Sequence, residues 1–146
     1  PQFLSLSTAI GNSRKDQTLN TPALATIIMA ERQLRWLLER GGMEAVSAHC
    51  AQASSLIYDW AEANLAARPF VENPTWRSPV TATIEIDEAV SASELAAHLR
   101  TLGIVDIGAY RGVGANQLRI GTWPSVEIGD LEALLACIDY CLERVL

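Results

Sequence analysis

An α+β fold is predicted by three features of the sequence. Apolar residues recur at three- and four-residue steps in four stretches, the signature of amphipathic helices. One stretch, V-T-A-T-I-E-I-D at 80–87, alternates apolar and polar side chains as a half-buried strand does. From residue 80 onward these patterns run in the order β-α-β-β-α, a small layer with its helices on one side of a sheet.

Residues 1–20 show no clear period and are polar from Gly11 to Asn20. Thr21 and Pro22 then read as a hydroxyl cap followed by proline at the first helical position, where its missing N–H costs nothing. Leu24, Ile27, Ile28, Leu34, Leu37 and Leu38 mark one face of the helix that follows, which stops at Gly41-Gly42. A second helix is expected from about Met43 to Asn64, with a stripe through Met43, Val46, Cys50, Ala53, Ile57, Trp60 and Asn64. The pair reads as a helical hairpin. Pro69, Pro74 and Pro79 make 65–79 a connection.

In the strand at 80–87, Val80, Ala82, Ile84 and Ile86 form the buried set. Ser91 and Glu94 form a capping box for a helix with Leu95, Leu99 and Leu102 inward and Gly103 as its stop. Strands are expected at 104–110 and 117–123, joined by a loop, before a last helix from about Gly129 to Leu146. Leu131, Leu134, Leu135, Ile138, Leu142 and Val145 line the inner face of that helix.

A net charge of −6 argues against a general nucleic-acid or anionic-membrane surface. No apolar run is long enough to span a bilayer. Cys50, Cys137 and Cys141 have neither disulfide-framework nor metal-site spacing, which suits a reducing cytoplasm. No metal site is expected. The chain opens on Pro1 rather than Met and is expected to be a piece of something longer.

Cations are scarce: ten Arg and one Lys, Lys15. Two of the arginines, Arg111 and Arg119, flank the loop in A-Y-R-G-V-G-A-N-Q-L-R. Leu118 and Ile120 take the core side of the second strand, so Arg119 and Gln117 take the other. On the residues alone, two solvated hairpin arginines stand first. A nucleotide-phosphate loop lacks the strand–loop–helix order and the Lys-Ser/Thr such loops use. The third possibility is a small ligand with two anionic groups, each held by a guanidinium fork. At the first helix start, Asn20 and Thr21 are either a cap or a phosphate site at a helix N-terminus. Lys15 sits between Arg14 and Asp16 with nothing apolar to lower its pKa, so it reads as solvated. His49 and His98 have no partner set and are assigned no chemistry.

The segments S-R-K-D-Q-T-L-N-T-P-A-L-A-T, R-G-G, G-I-V-D, Y-R-x-x-G-x-N-Q-L-R and L-E-A-L-x-x-C-I-D-Y occur in an order that resembles the phosphoserine aminotransferases, closest to their actinobacterial-type branch. The resemblance runs along essentially the whole chain. It implies a pyridoxal 5'-phosphate enzyme of the aspartate aminotransferase fold (type I), a cytoplasmic homodimer in serine biosynthesis, linked in the family to pyridoxine biosynthesis too. Its substrates would be glutamate and 3-phosphohydroxypyruvate, its products 2-oxoglutarate and O-phosphoserine. Asn20 and Thr21 match residues that reach the cofactor phosphate across the dimer. Arg111 matches the arginine for the substrate phosphate, and Arg119 the one for the α-carboxylate. Tyr110 stands where the wider family has histidine.

The family's Schiff-base lysine lies upstream of the matched N-T-P motif, and Lys15 does not occupy its position, so no residue here is assigned a catalytic role. The resemblance divides the chain into 1–21, a tail of the large cofactor-binding domain; 22–66, the helical hairpin; and 67–146, the C-terminal α+β small domain. The alternative of a different class is a non-catalytic ACT-like module that binds small molecules, since β-α-β-β-α is most of a ferredoxin-like unit.

Overall fold

The computed structural model describes residues 1–111 and 116–145, the last by its backbone alone. The loop segment G-V-G-A at 112–115 and the side chain of Val145 therefore lie outside the described residues. The chain forms two compact units, Pro1–Arg40 and Gly41–Leu146, with the division inside the segment expected to be a hairpin.

In the first unit, a 3-10 turn at Gln2–Leu4 leads into α1, Leu6–Ser13, in the segment that shows no clear period. The reason is local: Ser5 caps α1, its Oγ accepting from the Thr8 amide at 3.3 Å, and Asn12 donates to the Thr8 carbonyl at 2.9 Å. Helix α2 spans Leu24–Glu39, starting later than expected. Ala23 is its N-cap with φ −75° and ψ 72°, and no side chain caps it. The N-cap is thus Ala23 and not Thr21, which corrects the cap expected there. Of the expected apolar stripe, Leu24, Ile27, Ile28, Leu34 and Leu38 are exposed.

The second unit begins at Gly41. Gly41 has φ 97°, and a Cβ there would stand 2.8 Å from that of Ala45, so glycine is required twice over. Helix α3, Gly42–Ala63, buries Val46, Cys50, Ala53, Ile57 and Ala61, while Met43, the first residue of the expected stripe, is exposed. Strand β1, Ala67–Pro69, falls inside the segment read as a connection. Proline had argued against a strand there, but β1 is an edge strand in the order β1-β2-β3, where a missing N–H is tolerated. The following loop is drawn together by Arg77, which donates to the carbonyls of Val71 and Glu72, pairs with Glu62 at 2.7 Å and lies over the Tyr58 ring.

Strand β2, Thr81–Ile86, alternates as expected, and helix α4, Ala92–Thr101, has the expected cap from Ser91 to the Glu94 amide. Leu102 was expected inward but is exposed, because it is the C-cap residue, beyond the last helical turn. The strand expected at 104–110 is reduced to one bridge, Gly108 to Leu118, beside an Arg119 amide to Ile107 carbonyl bond of 2.8 Å. Asp106 explains the loss: its φ of 61° breaks the extended run just before the bridge. Strand β3, Gln117–Gly121, pairs antiparallel with β2, setting Thr83 opposite Arg119 and Glu85 opposite Gln117. Helix α5, Ile128–Val145, closes the unit.

The core lies between one face of this sheet and the helices. Ala82, Ile84, Ile86, Leu118 and Ile120 pack with Ile57, Leu99, Leu131 and Ile138 in one cluster. A polar clip ties α3 to α5: Asp139 accepts from Trp60 Nε1 at 2.9 Å and from Asn64 Nδ2 at 2.8 Å. Among the described residues no helix is long and apolar enough to cross a membrane.

Candidate functional site

Strand parity builds the site. Leu118 and Ile120 enter the core, so Gln117 and Arg119 project from the opposite face, where Thr83 and Glu85 of β2 and Arg68 of β1 stand beside them. Arg68 clasps Glu85, Nε at 2.7 Å and Nη2 at 2.6 Å from the same carboxylate oxygen, and so occupies the acidic group that β2 presents on that face.

Arg119 is half-buried, and no carboxylate among the described residues pairs with it. Its guanidinium carbon sits 5.0 Å from the centroid of the Tyr110 ring. That contact contributes about 0.5–1 kcal/mol while leaving the N–H edges open to a planar anion. Arg111 follows Tyr110 directly, is exposed, and likewise has no ion-pair partner among the described residues. Of the two arginines named from the sequence, Arg119 thus lies over the ring of the residue that precedes Arg111 in the chain.

The far end of the loop is held by Asn116. Its Oδ1 accepts from the Ala92 amide at 2.8 Å, and Nδ2 faces the carbonyls of Ile86, Asp87 and Val90 at 2.8–3.0 Å. This bracket, which sequence reasoning did not single out, fixes where β3 starts and so where Arg119 emerges. Gln117, the next residue, is its opposite: 2% exposed, with neither Nε2 nor Oε1 hydrogen-bonded.

Asn20 and Thr21 lie in the other unit, both exposed. The Thr18 hydroxyl donates to the Asn20 carbonyl, but the side chains of Asn20 and Thr21 themselves take no bond from the described residues. An uncommitted amide and hydroxyl ahead of a helix without a side-chain cap fit a phosphate as donors. His49 is occupied by the Val126 carbonyl at 2.9 Å. The three cysteines are free thiols, and burial pushes the Cys50 thiol pKa up, away from reactivity. Among the described residues no His, Cys, Asp and Glu group could hold a metal ion.

No protein-family model matches the chain. Among curated proteins, the putative phosphoserine aminotransferase of Mycolicibacterium vanbaalenii is 48% identical over 145 residues, covering 99% of this chain and 39% of that protein. The chain thus spans only about two fifths of the length of the curated relatives it matches. The solved phosphoserine aminotransferase of Bacillus circulans subsp. alkalophilus superposes with a TM-score of 0.83 at 28% identity, over 96% of this chain and 37% of that one. A structure described as pyridoxal-phosphate-bound phosphoserine aminotransferase, from Trichomonas vaginalis, shares the fold at a TM-score of 0.74, with 16% identity over 90% of this chain and 37% of that one. These matches do not favour the ACT-like alternative. Along 99% of its length, the chain is a homologue of the phosphoserine aminotransferases, with their aspartate-aminotransferase-like fold.

Proposed function

We propose that this chain is the C-terminal portion of a phosphoserine aminotransferase that transfers the amino group of glutamate to 3-phosphohydroxypyruvate in the cytoplasm. Residues 1–21 would belong to the large cofactor-binding domain, 22–66 to a helical hairpin, and 67–146 to the small domain. The carrying observation is Arg119, half-buried without a carboxylate partner among the described residues, with Arg111 one residue from the ring it lies on. A cation so placed favours an anionic ligand, and a substrate with a carboxylate at one end and a phosphate at the other uses both arginines.

In this reading Arg119 clasps the α-carboxylate common to all the substrates and orients the reacting carbon. Arg111 binds the far end, a phosphate in one half-reaction and a carboxylate in the other. Asn20 and Thr21 hold the phosphate of pyridoxal 5'-phosphate bound in the second subunit of a homodimer. The cofactor, when bound, supplies the electron sink for amino transfer, and the lysine that anchors it comes from the rest of the enzyme.

The test is kinetic, on the full-length enzyme. Arg119→Ala should damage both half-reactions alike. Arg111→Ala should lower kcat/KM for phosphoserine by about 10- to 150-fold, the worth of one charge-assisted contact, and that for glutamate by less. Arg111→Lys should recover part of the loss, since a point charge replaces a fork. Unchanged phosphoserine kinetics in Arg111→Ala would return this loop to a solvated hairpin.

A further inference from the structure

Two neighbouring carboxamides are treated in opposite ways. Asn116 has both side-chain polar atoms engaged, whereas Gln117 is as buried as a core residue with its amide wholly unpartnered. Leaving a buried amide unsatisfied costs about 1–3 kcal/mol, and such groups in native proteins call for a cause. The apolar cluster is not the cause, because Gln117 projects from the opposite face of the sheet. Its cross-strand neighbour Glu85 does not satisfy it either, being clasped by Arg68.

We infer that Gln117 is a substrate-binding residue: its carboxamide, enclosed in this structure, turns toward Arg119 when substrate binds and completes the carboxylate site, donating from Nε2 to an oxygen of the bound α-carboxylate. The inference rests on the role proposed above for Arg119. Residues two apart on a strand share a face with α-carbons about 6.5–7 Å apart, a gap that one carboxylate and two side chains bridge. The chemistry is complementary. The guanidinium supplies charge, and the neutral amide supplies a further donor without adding a carboxylate that would compete for Arg119. Arg68 serves the same end by engaging Glu85. A glutamate at 117 would instead pair with Arg119 and repel the substrate.

The experiment compares Gln117→Leu, Gln117→Glu and Arg119→Ala in the full-length enzyme, measuring both half-reactions and the urea midpoint. Gln117→Leu removes an unsatisfied buried amide, so its stability should be unchanged or higher, while KM for phosphoserine and glutamate rises about tenfold with kcat less affected. Gln117→Glu should raise both KM values further, toward those of Arg119→Ala. Wild-type kinetics in a stabilised Gln117→Leu, with Arg119→Ala still crippled, would overturn the inference and make Gln117 a packing residue. If Arg119→Ala itself leaves both half-reactions intact, the proposed carboxylate site fails first, and this inference with it. Should Gln117→Leu fold poorly, Gln117→Met, of similar length and without the amide, takes its place under the same criteria.

Discussion

Replacing Asn116 with alanine should cost far more than its place at the end of a loop suggests. The side chain makes one accepted bond, from the Ala92 amide, and its two N–H hydrogens are shared among the carbonyls of Ile86, Asp87 and Val90. Counting three bonds at about 1 kcal/mol each gives about 3 kcal/mol. The Ala92 amide belongs to the first turn of α4, in a residue that is itself buried, so water replaces the lost oxygen poorly. With a urea slope of about 2 kcal/mol per molar, the midpoint should fall by about 1.5 M. Asn116→Asp is the sharper variant. It keeps the acceptor for Ala92 but turns a carboxylate toward three carbonyls, so it should be no better tolerated than alanine. A loss below about 1 kcal/mol, or an aspartate variant clearly more stable than the alanine one, would refute the bracket as the anchor of β3.

Three further outcomes follow from the same structure. Asp139→Ala strands the Trp60 and Asn64 donors and should lower stability by about 2 kcal/mol, with Asp139→Asn losing less because one acceptor survives; urea midpoints decide it. Burial raises the pKa of the Cys50 thiol, and raises that of Tyr58 against the lowering pull of Arg77, so the folded state holds these protons more tightly than the unfolded chain does. Their contribution is therefore complete below about pH 8.5 and is lost as pH rises through the folded values, first for Cys50 and then for Tyr58 above about pH 10. A urea midpoint independent of pH from 8 to about 11 would contradict this. Thr21→Ala removes no helix cap, so it should leave the urea midpoint within about 0.5 kcal/mol of wild type while weakening cofactor retention in the full-length enzyme, measured by dialysis.

What could be read from the sequence was periodic or local. The alternation at 80–87 placed β2 to within a residue, and the Ser91–Glu94 pair placed the cap of α4 because both partners lie within one helical turn. The errors share a cause in longer-range structure. Pro69 argues against a strand only until its position at the sheet edge is known, and that position depends on how 81–86 pairs. Asp106 carries no mark in the sequence of the positive φ that ends the run at 104–110. Thr21-Pro22 is a plausible helix start that the backbone at Ala23 overrides.

The site divides along the same line. Strand parity alone put Arg119 and Gln117 on the face away from the core helices, and the register agrees, although Gln117 is buried there. What parity does not carry is the state of each side chain once there. Arg119 stands out because no carboxylate among the described residues pairs with it, Glu85 being held by Arg68, and Gln117 because its amide has no partner; both depend on residues 32 to 51 positions away in sequence, brought alongside by the antiparallel pairing of β1 with β2 and of β2 with β3. Pairing therefore does more than build the sheet. By setting Arg68 against Glu85, it leaves Arg119 without a carboxylate partner among the described residues. That makes Arg68 a test of the whole arrangement. Arg68→Ala would free Glu85, diagonal to Arg119 across the strand pair, to compete for the guanidinium. KM should then rise for both substrates although Arg68 touches neither, and Glu85→Gln in the same enzyme should restore it. An Arg68→Ala enzyme with unchanged KM would mean that Glu85 never reaches Arg119, and that the arginine's availability has another origin.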